Sequence, residues 1–375
     1  MPDSTTEFLI VGAGIAGTSL AYALTRAGVS NIIVVDGEAS GSYHASGRSA
    51  AMYMAGYGNA PVRALTRQSF GFLDTPPPDF ADGPLLRRRG HLTIAGEADT
   101  SLLREMARNA NADILDADAA RAIVSPLRPD ATAAAFFDPD ASDIDTDLLH
   151  QSYIRHARRA GARFLTDTPF HGAQRAAGGW TARVGAQEIR ARTIICAAGA
   201  WADQVAQSCG VAAVGLVPMR RTALLVAPPE EWEIESWPMV MTAAESLYFK
   251  PDAGKLLVSP ADETPDAPSD VQPDEWDVAV AAHRLRELLD IDVRRIDAQW
   301  AGLRTFAPDR TPVVGFDADS PDFFWFAGQG GYGFQLAPAL AAAGAAMLAG
   351  QPPEGDADID WRLLAANRFC GATQA

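Results

Sequence analysis

An α/β fold on a parallel sheet with a β meander, joined to an α+β part with a mostly antiparallel sheet, is the fold class the sequence predicts. Three stretches predict it. In the first, the apolar run Phe8 to Val11 meets the turn Gly12-Ala13-Gly14-Ile15-Ala16-Gly17, a helical pattern runs to Gly28, and Ile32 to Val35 ends at Asp36. In the second, Arg192 to Cys196 closes on Ala197, Ala198 and Gly199, followed by Ala200 and Trp201. In the third, Phe323 to Ala327 enters Gly328-Gln329-Gly330-Gly331-Tyr332-Gly333, and the spacing predicts a helix from Phe334 to Ala349.

A strand, a glycine turn, a helix and a second strand ending in an acid about 20 residues after the last glycine form a dinucleotide-binding pattern. Gly12 permits the sharp turn, Gly14 admits a pyrophosphate to the backbone, and Gly17 lets the helix pack on the strand. That helix opens at Ile15 and Ala16, and its positive end meets the phosphates. Asp36 is placed to receive the adenosine ribose. At Ala198 and Gly199, small residues again let backbone come close to the dinucleotide. The third glycine loop leads into a helix whose N-terminus is a further positive dipole end.

Between these stretches the chain alternates. The polar loop after Asp36, carrying Gly47, Arg48, Ser49, Ala50 and then Tyr57, leaves the carboxyl end of a parallel strand, where open α/β sheets bind ligands. Pro61 to Leu73 has helical spacing, with proline at a tolerated first-turn position, and Pro76 to Pro78 stop it. Strands are expected over Leu85–Ile94 and Ala133–Phe137 with a helix near Ser101–Asn109, a change of rhythm that marks departure into the second part. Asp147–Ala160 is helical, Gly161–Leu165 starts a strand, and a short β meander follows. Pro218–Ala227 and Leu247–Ser259 read as strands of the second part, the latter folded at Pro251-Asp252-Ala253-Gly254. Thr264–Pro273 is a surface loop; a helix over Asp274–Leu289 and a strand through Trp300 follow.

With 375 residues the chain is long enough for two domains. A net charge of −16 argues against nucleic acid or an anionic membrane as partner. Cys196, Cys209 and Cys370 have neither a disulfide-framework nor a zinc-site spacing, so no metal site and a cytoplasmic location are expected. With the first strand entered almost at once no signal peptide is expected, and no apolar run is long enough to span a bilayer.

Beyond the glycine loops, Gly47-Arg48-Ser49-Ala50-Ala51, Asp143-Ile144-Asp145-Thr146-Asp147, Trp300-Ala301-Gly302-Leu303-Arg304-Thr305-Phe306 and Gln329-Gly330-Gly331-Tyr332-Gly333 stand in the order found in the FAD-dependent amino acid and amine oxidoreductases of the D-amino acid oxidase superfamily. The chain resembles that family nearly end to end, and within it the bacterial D-arginine dehydrogenases. The resemblance implies a Rossmann-type FAD-binding domain from segments 1–83, 145–215 and 305–375. The substrate-binding domain would comprise 84–144 and 216–304. It also implies noncovalent FAD, since the Gly302–Arg304 region lacks the cysteine that covalent relatives use.

In such enzymes a Cα–H passes as hydride to flavin N5, giving an imino acid that hydrolyses to a 2-oxo acid and ammonia. Carried over by position, Arg221 and Arg304 would hold the substrate carboxylate with Tyr57 and Tyr248, and the Gly331 carbonyl would lie near the amine. The cofactor contacts would be Gly12, Gly14, Ile15, Ala16, Gly17, Asp36, Gly47, Arg48, Ser49, Ala50, Ala198, Gly199, Trp201, Gly330, Gly331, Tyr332, Gly333 and Phe334. A guanidinium fork matches a carboxylate bidentately, and each charge-assisted bond is worth roughly 1.5–3 kcal/mol. Two positions depart from the arginine dehydrogenases: Met52 replaces a histidine, and His91 replaces the acid facing the substrate guanidinium. Loss of that charge removes the selection for a cationic side chain. The expected substrate is a D-amino acid, with a secondary amine or an electron-transfer subunit as rival readings and quinone or O2 as acceptor.

Overall fold

The computed structural model describes residues 4–355 and 359–369, so Cys370 lies outside the described residues. Ser4–Val11 lies at the centre of an eight-stranded sheet. Ile32–Val35 on one side and Gln187–Cys196 on the other run parallel to it. Arg163–Leu165 continues the parallel order beyond Ile32–Val35, and Phe323–Ala327 pairs parallel with Ile194–Cys196. The meander Phe170–Ala176, Gly179–Val184 and Gln187–Cys196 is antiparallel.

Strand alternation splits the apolar residues between two cores. Phe8 and Ile10 pack with Leu20, Leu24, Phe324, Phe326 and Leu340 on the face covered by helices Ile15–Arg26 and Gly333–Leu348. Leu9 and Val11 pack with Trp180, Ile194, Phe323 and Trp325 on the other. A strand covered on both faces must read as a continuous apolar run, which explains Phe323–Ala327.

A nine-stranded sheet forms the second layer system, antiparallel except where His91–Ala95 and Met239–Thr242 run side by side. Its longest pair is Val217–Val226 against Ile296–Phe306. The tail of the second strand is tied to the late glycine loop, Gly330 N–H donating to the Thr305 carbonyl at 2.9 Å.

Three expectations are corrected. Leu85–Ile94 is two strands, Leu86–Arg88 and His91–Ala95, in different sheets, because Gly90 turns the chain at φ +77°. The Thr264–Pro273 loop opens with Thr264–Pro265 paired to Met219 and Arg220. The strand through Trp300 continues to Phe306, which carries Arg304 into the sheet. Helices Ala117–Ile123 and Ala202–Ser208 and strands Met239–Thr242 and Val313–Phe316 were not expected; seven-residue helices and four-residue strands are too short to show a period.

Candidate active site

An elongated cavity of about 430 Å³ runs from Asp36 past the glycine turn to Arg304 and Gly331. Its walls are largely backbone of small residues: Gly12, Gly14 and Ala16 from the turn, Gly41 from the following loop, Ala197 to Gly199, and Gly328 to Gly331. Close packing makes the glycines necessary. A Cβ on Gly12 would stand 2.4 Å from the Ala197 carbonyl oxygen, and one on Gly17 would stand 1.9 Å from that of Gly12. Asp36 braces the turn, its Oδ2 accepting from Ala13 N–H at 2.6 Å and its Oδ1 from Glu38 N–H at 2.9 Å.

The expected cofactor residues divide by role. Gly14, Ile15, Ala16, Asp36, Arg48, Ser49, Ala198, Gly199, Trp201, Gly330, Gly331, Gly333 and Phe334 line the cavity, as does Gly12. Gly17 and Gly47 do not; they permit backbone contact with Gly12 and Ser42. Ala50 faces the adjoining smaller cavity. The Tyr332 ring turns away to pack on Tyr57 and Phe306, at 5.4 and 6.3 Å between ring centres. Arg48 fastens its loop across the two sheets, donating to the Ala301 carbonyl at 2.8 Å and pairing with Asp270. A long backbone-lined groove with a carboxylate at one end and a helix N-terminus midway fits FAD.

Ser49, Arg221, Arg304, Gly331 and Phe334 also line a second cavity of about 40 Å³, completed by Tyr57, Tyr248, Glu245 and the methionines Met52, Met54, Met239 and Met241. The strand ladder explains how the arginines meet. Arg221 stands opposite Gly302 and Met219 opposite Arg304, so both guanidinium chains project from one face of the antiparallel pair. Arg220 alternates to the other face, where Asp266 and Asp277 take it at 3.3 and 3.1 Å.

The two arginines are not equivalent. Arg221 donates through Nε to the Asp262 carbonyl at 2.8 Å and through Nη2 to Glu263 at 3.0 Å, and Glu263 is shared with Arg310. Arg304 makes no hydrogen bond or ion pair among the described residues, and its guanidinium lies against Gly331, where a Cβ would stand 2.9 Å from Nη1. Burial disfavours its charge, but Tyr248, Tyr57, Tyr332 and the Glu263 carboxylate around it outweigh that and raise its pKa. Burial alone would also raise the Tyr248 phenol; Arg304 and Arg221 bring it below the ordinary value instead. Tyr57 goes the other way: burial, then Glu245, push it up, and its hydroxyl donates to Glu245 at 3.2 Å.

Met52 lines the small cavity, whereas His91 is not among the residues lining either cavity. His91 stands beside Met239 in the sheet, and Met239 faces the cavity in front of it. Its Nε2 is buried without a partner, and burial lowers its pKa to about 4. Glu245 and the methionines of Met239–Thr242 escaped the sequence reading; one sits in a turn and the others in a four-residue strand, neither with a pattern to flag it.

Residues 7–347 match the family model of the FAD-dependent oxidoreductases (DAO). A glycine oxidase of Bacillus licheniformis is 24% identical over 92% of this chain and 94% of its own. An N-methyl-L-tryptophan oxidase of Escherichia coli is 26% identical over 52% of this chain and 54% of its own. Among solved structures, an L-proline dehydrogenase from P. horikoshii superposes with a TM-score of 0.85 at 18% identity, covering 99% of both chains.

Proposed function

The chain belongs to the DAO family of FAD-dependent oxidoreductases acting on amines and amino acids, and on that premise we propose that it oxidises the Cα–N bond of a small D-amino acid with an uncharged side chain. The product is an imino acid, which water converts to the 2-oxo acid and ammonia. Bound FAD, held without a covalent link, supplies the acceptor for the two electrons.

Arg304 carries this reading. A largely desolvated cation that makes no direct ion pair among the described residues, with Glu263 acting on it only from a distance, gains from an arriving anion, and the α-carboxylate of an amino acid is such an anion. In the proposal Arg304 takes the carboxylate, Arg221 supports it from the neighbouring strand, and the Tyr248 and Tyr57 hydroxyls complete the grip. The Tyr57 phenol is kept protonated by burial and Glu245, and its single O–H, given to Glu245 in the ligand-free structure, turns to the carboxylate when substrate binds. Fixing the carboxylate at these points sets the Cα–H direction, which is the positioning share of catalysis.

Size supports a small side chain. The cavity bounded by the arginines, tyrosines and methionines holds about 40 Å³, against roughly 150 Å³ for one that takes benzene, which suits a small substrate. Methionine is adaptable, yet a guanidinium would have to displace several. The same apolar wall favours one second reading, a small N-alkyl or cyclic amino acid.

Anaerobic mixing of the FAD enzyme with D-alanine, L-alanine, D-arginine, N-methylglycine and proline tests this. D-alanine should bleach the flavin fastest. Preference for D-arginine or for the L-enantiomer would overturn the reading, and a lead for N-methylglycine or proline would select the second.

A further inference from the structure

Ala13, in the middle of the first glycine turn, has both backbone groups held from outside the turn. Its N–H is bound by Asp36, and its carbonyl accepts a hydrogen bond from His150 Nε2 at 2.8 Å. His150 comes from the helix Thr146–Arg159, which is remote in sequence from the turn, and it is 1% exposed. Its Nδ1 is buried without a partner among the described residues. A carbonyl only accepts, so Nε2 carries the ring hydrogen and Nδ1 carries none; burial, against the smaller pull of the Ala13 bond, keeps the ring neutral. Gly41 leaves room for this carbonyl, since a Cβ there would stand 2.1 Å from it.

The consequence lies in peptide geometry. The Ala13 carbonyl and the Gly14 N–H are opposite ends of one planar trans unit and point in opposite directions. With the carbonyl fixed on His150, the Gly14 N–H is turned to the other side of the turn. Gly14 lines the large cavity there, and its N–H donates to no protein acceptor among the described residues. The next N–H, that of Ile15, is occupied by Ser46 Oγ at 3.0 Å.

We propose that His150 is a positioning residue for FAD: by holding the Ala13 carbonyl it presents the Gly14 N–H as a preset donor to the pyrophosphate. A donor aimed before the ligand arrives costs no reorganisation on binding. His150 thereby links the helix Thr146–Arg159 to the cofactor site, although it is not itself among the residues lining the cavity.

The test is FAD titration of the apoprotein, followed by flavin fluorescence, for wild type, His150→Phe and His150→Gln, beside the melting temperature of each apoprotein. Phenylalanine keeps the ring volume and removes the donor; glutamine restores a donor. The Phe variant should bind FAD on the order of tenfold more weakly, the size of one lost buried hydrogen bond, and the Gln variant should recover most of that. Wild-type affinity in the Phe variant overturns the proposal. So does equal weakening in both variants with a parallel fall in apoprotein melting temperature, the signature of a purely structural role. Should the Phe variant not fold, His150→Asn, too short to reach the carbonyl, takes its place against Gln under the same outcomes.

Discussion

The two ends of the site are built from different materials. Around the dinucleotide groove the working groups are backbone: glycines that let chain meet chain, N–H groups at a helix start, and one carboxylate bracing the turn. Around the small cavity they are side chains gathered from Tyr57 to Gly331, two of them cations within one strand pair. A backbone site depends on local conformation and tolerates little volume. A side-chain site depends on which face of each strand turns inward and on what neutralises its charge. The contrast predicts that substitutions at the first end remove the cofactor, while those at the second leave it bound and remove the chemistry.

The largest effect is expected at Gly17. Replacement by Ala would put a methyl 1.9 Å from the Gly12 carbonyl oxygen, a backbone atom that cannot rotate aside. Gly17→Ala should yield protein without flavin, or none that folds, judged by visible absorbance per protein and by melting temperature. A yellow, normally stable variant would break the contrast at its stronger end.

At the other end the two arginines sharpen it. Arg304→Met should lower kcat/KM by about two to three orders of magnitude, since truncating one partner of a buried charge pair costs about 2–5 kcal/mol, while flavin content is unchanged. In the ligand-free enzyme Arg304 makes no ion pair among the described residues, so its removal should lower the melting temperature less than removal of Arg221. Arg221→Met should cost less activity but lower the melting temperature, because the Asp262 carbonyl and Glu263 lose a donor. Equal behaviour of the two variants would show that the asymmetry between the arginines has no functional weight.

Gly331 lies at the seam between the two ends. A Val side chain there would meet the Arg304 guanidinium at 2.9 Å from its Cβ, so Gly331→Val acts by displacing the carboxylate clamp. Anaerobic flavin reduction should slow by about tenfold or more, in line with one disturbed charge-assisted bond. Unchanged reduction with normal flavin content would refute this.

How much could be read beforehand follows the same division. The Gly12 to Gly17 turn, its flanking strands and the Phe323–Ala327 run were legible because their cause is local: period, turn chemistry and the appearance of a strand buried on both faces. Arg221 and Arg304 were found by resemblance, not by pattern. What separates Arg221 from its neighbour Arg220 is a set of aspartates at positions 262, 266, 274 and 277 that only the folded sheet brings to one side. Glu245 and the methionine wall depend on strand order, and the break at Gly90 on a glycine whose positive φ had no flanking turn signal. His150 lay inside an ordinary helical pattern, with nothing to reveal the carbonyl it would meet.

His91 provides the smallest and most selective test, because it belongs to the substrate end by register yet touches no cavity. Its ring is buried beside Met239, Nε2 has no partner, and burial brings its pKa to about 4 against 6.5 in an unfolded chain. Above pH 6.5 neither state binds a proton there and the residue contributes no pH dependence. As pH falls below 6.5 the unfolded chain takes up the proton and the folded one does not, so stability declines until about pH 4, where the folded ring titrates too. At about 1.36 kcal/mol per unit the full loss is roughly 3 kcal/mol. His91→Leu removes the titrating group, so urea unfolding of the FAD-loaded protein at pH 7 and pH 5 should show a smaller decline in the variant than in wild type, with D-alanine turnover at pH 7 nearly unchanged. A decline of equal size would mean that His91 is solvated or paired in solution. A large loss of turnover at pH 7 would instead place His91 at the substrate after all.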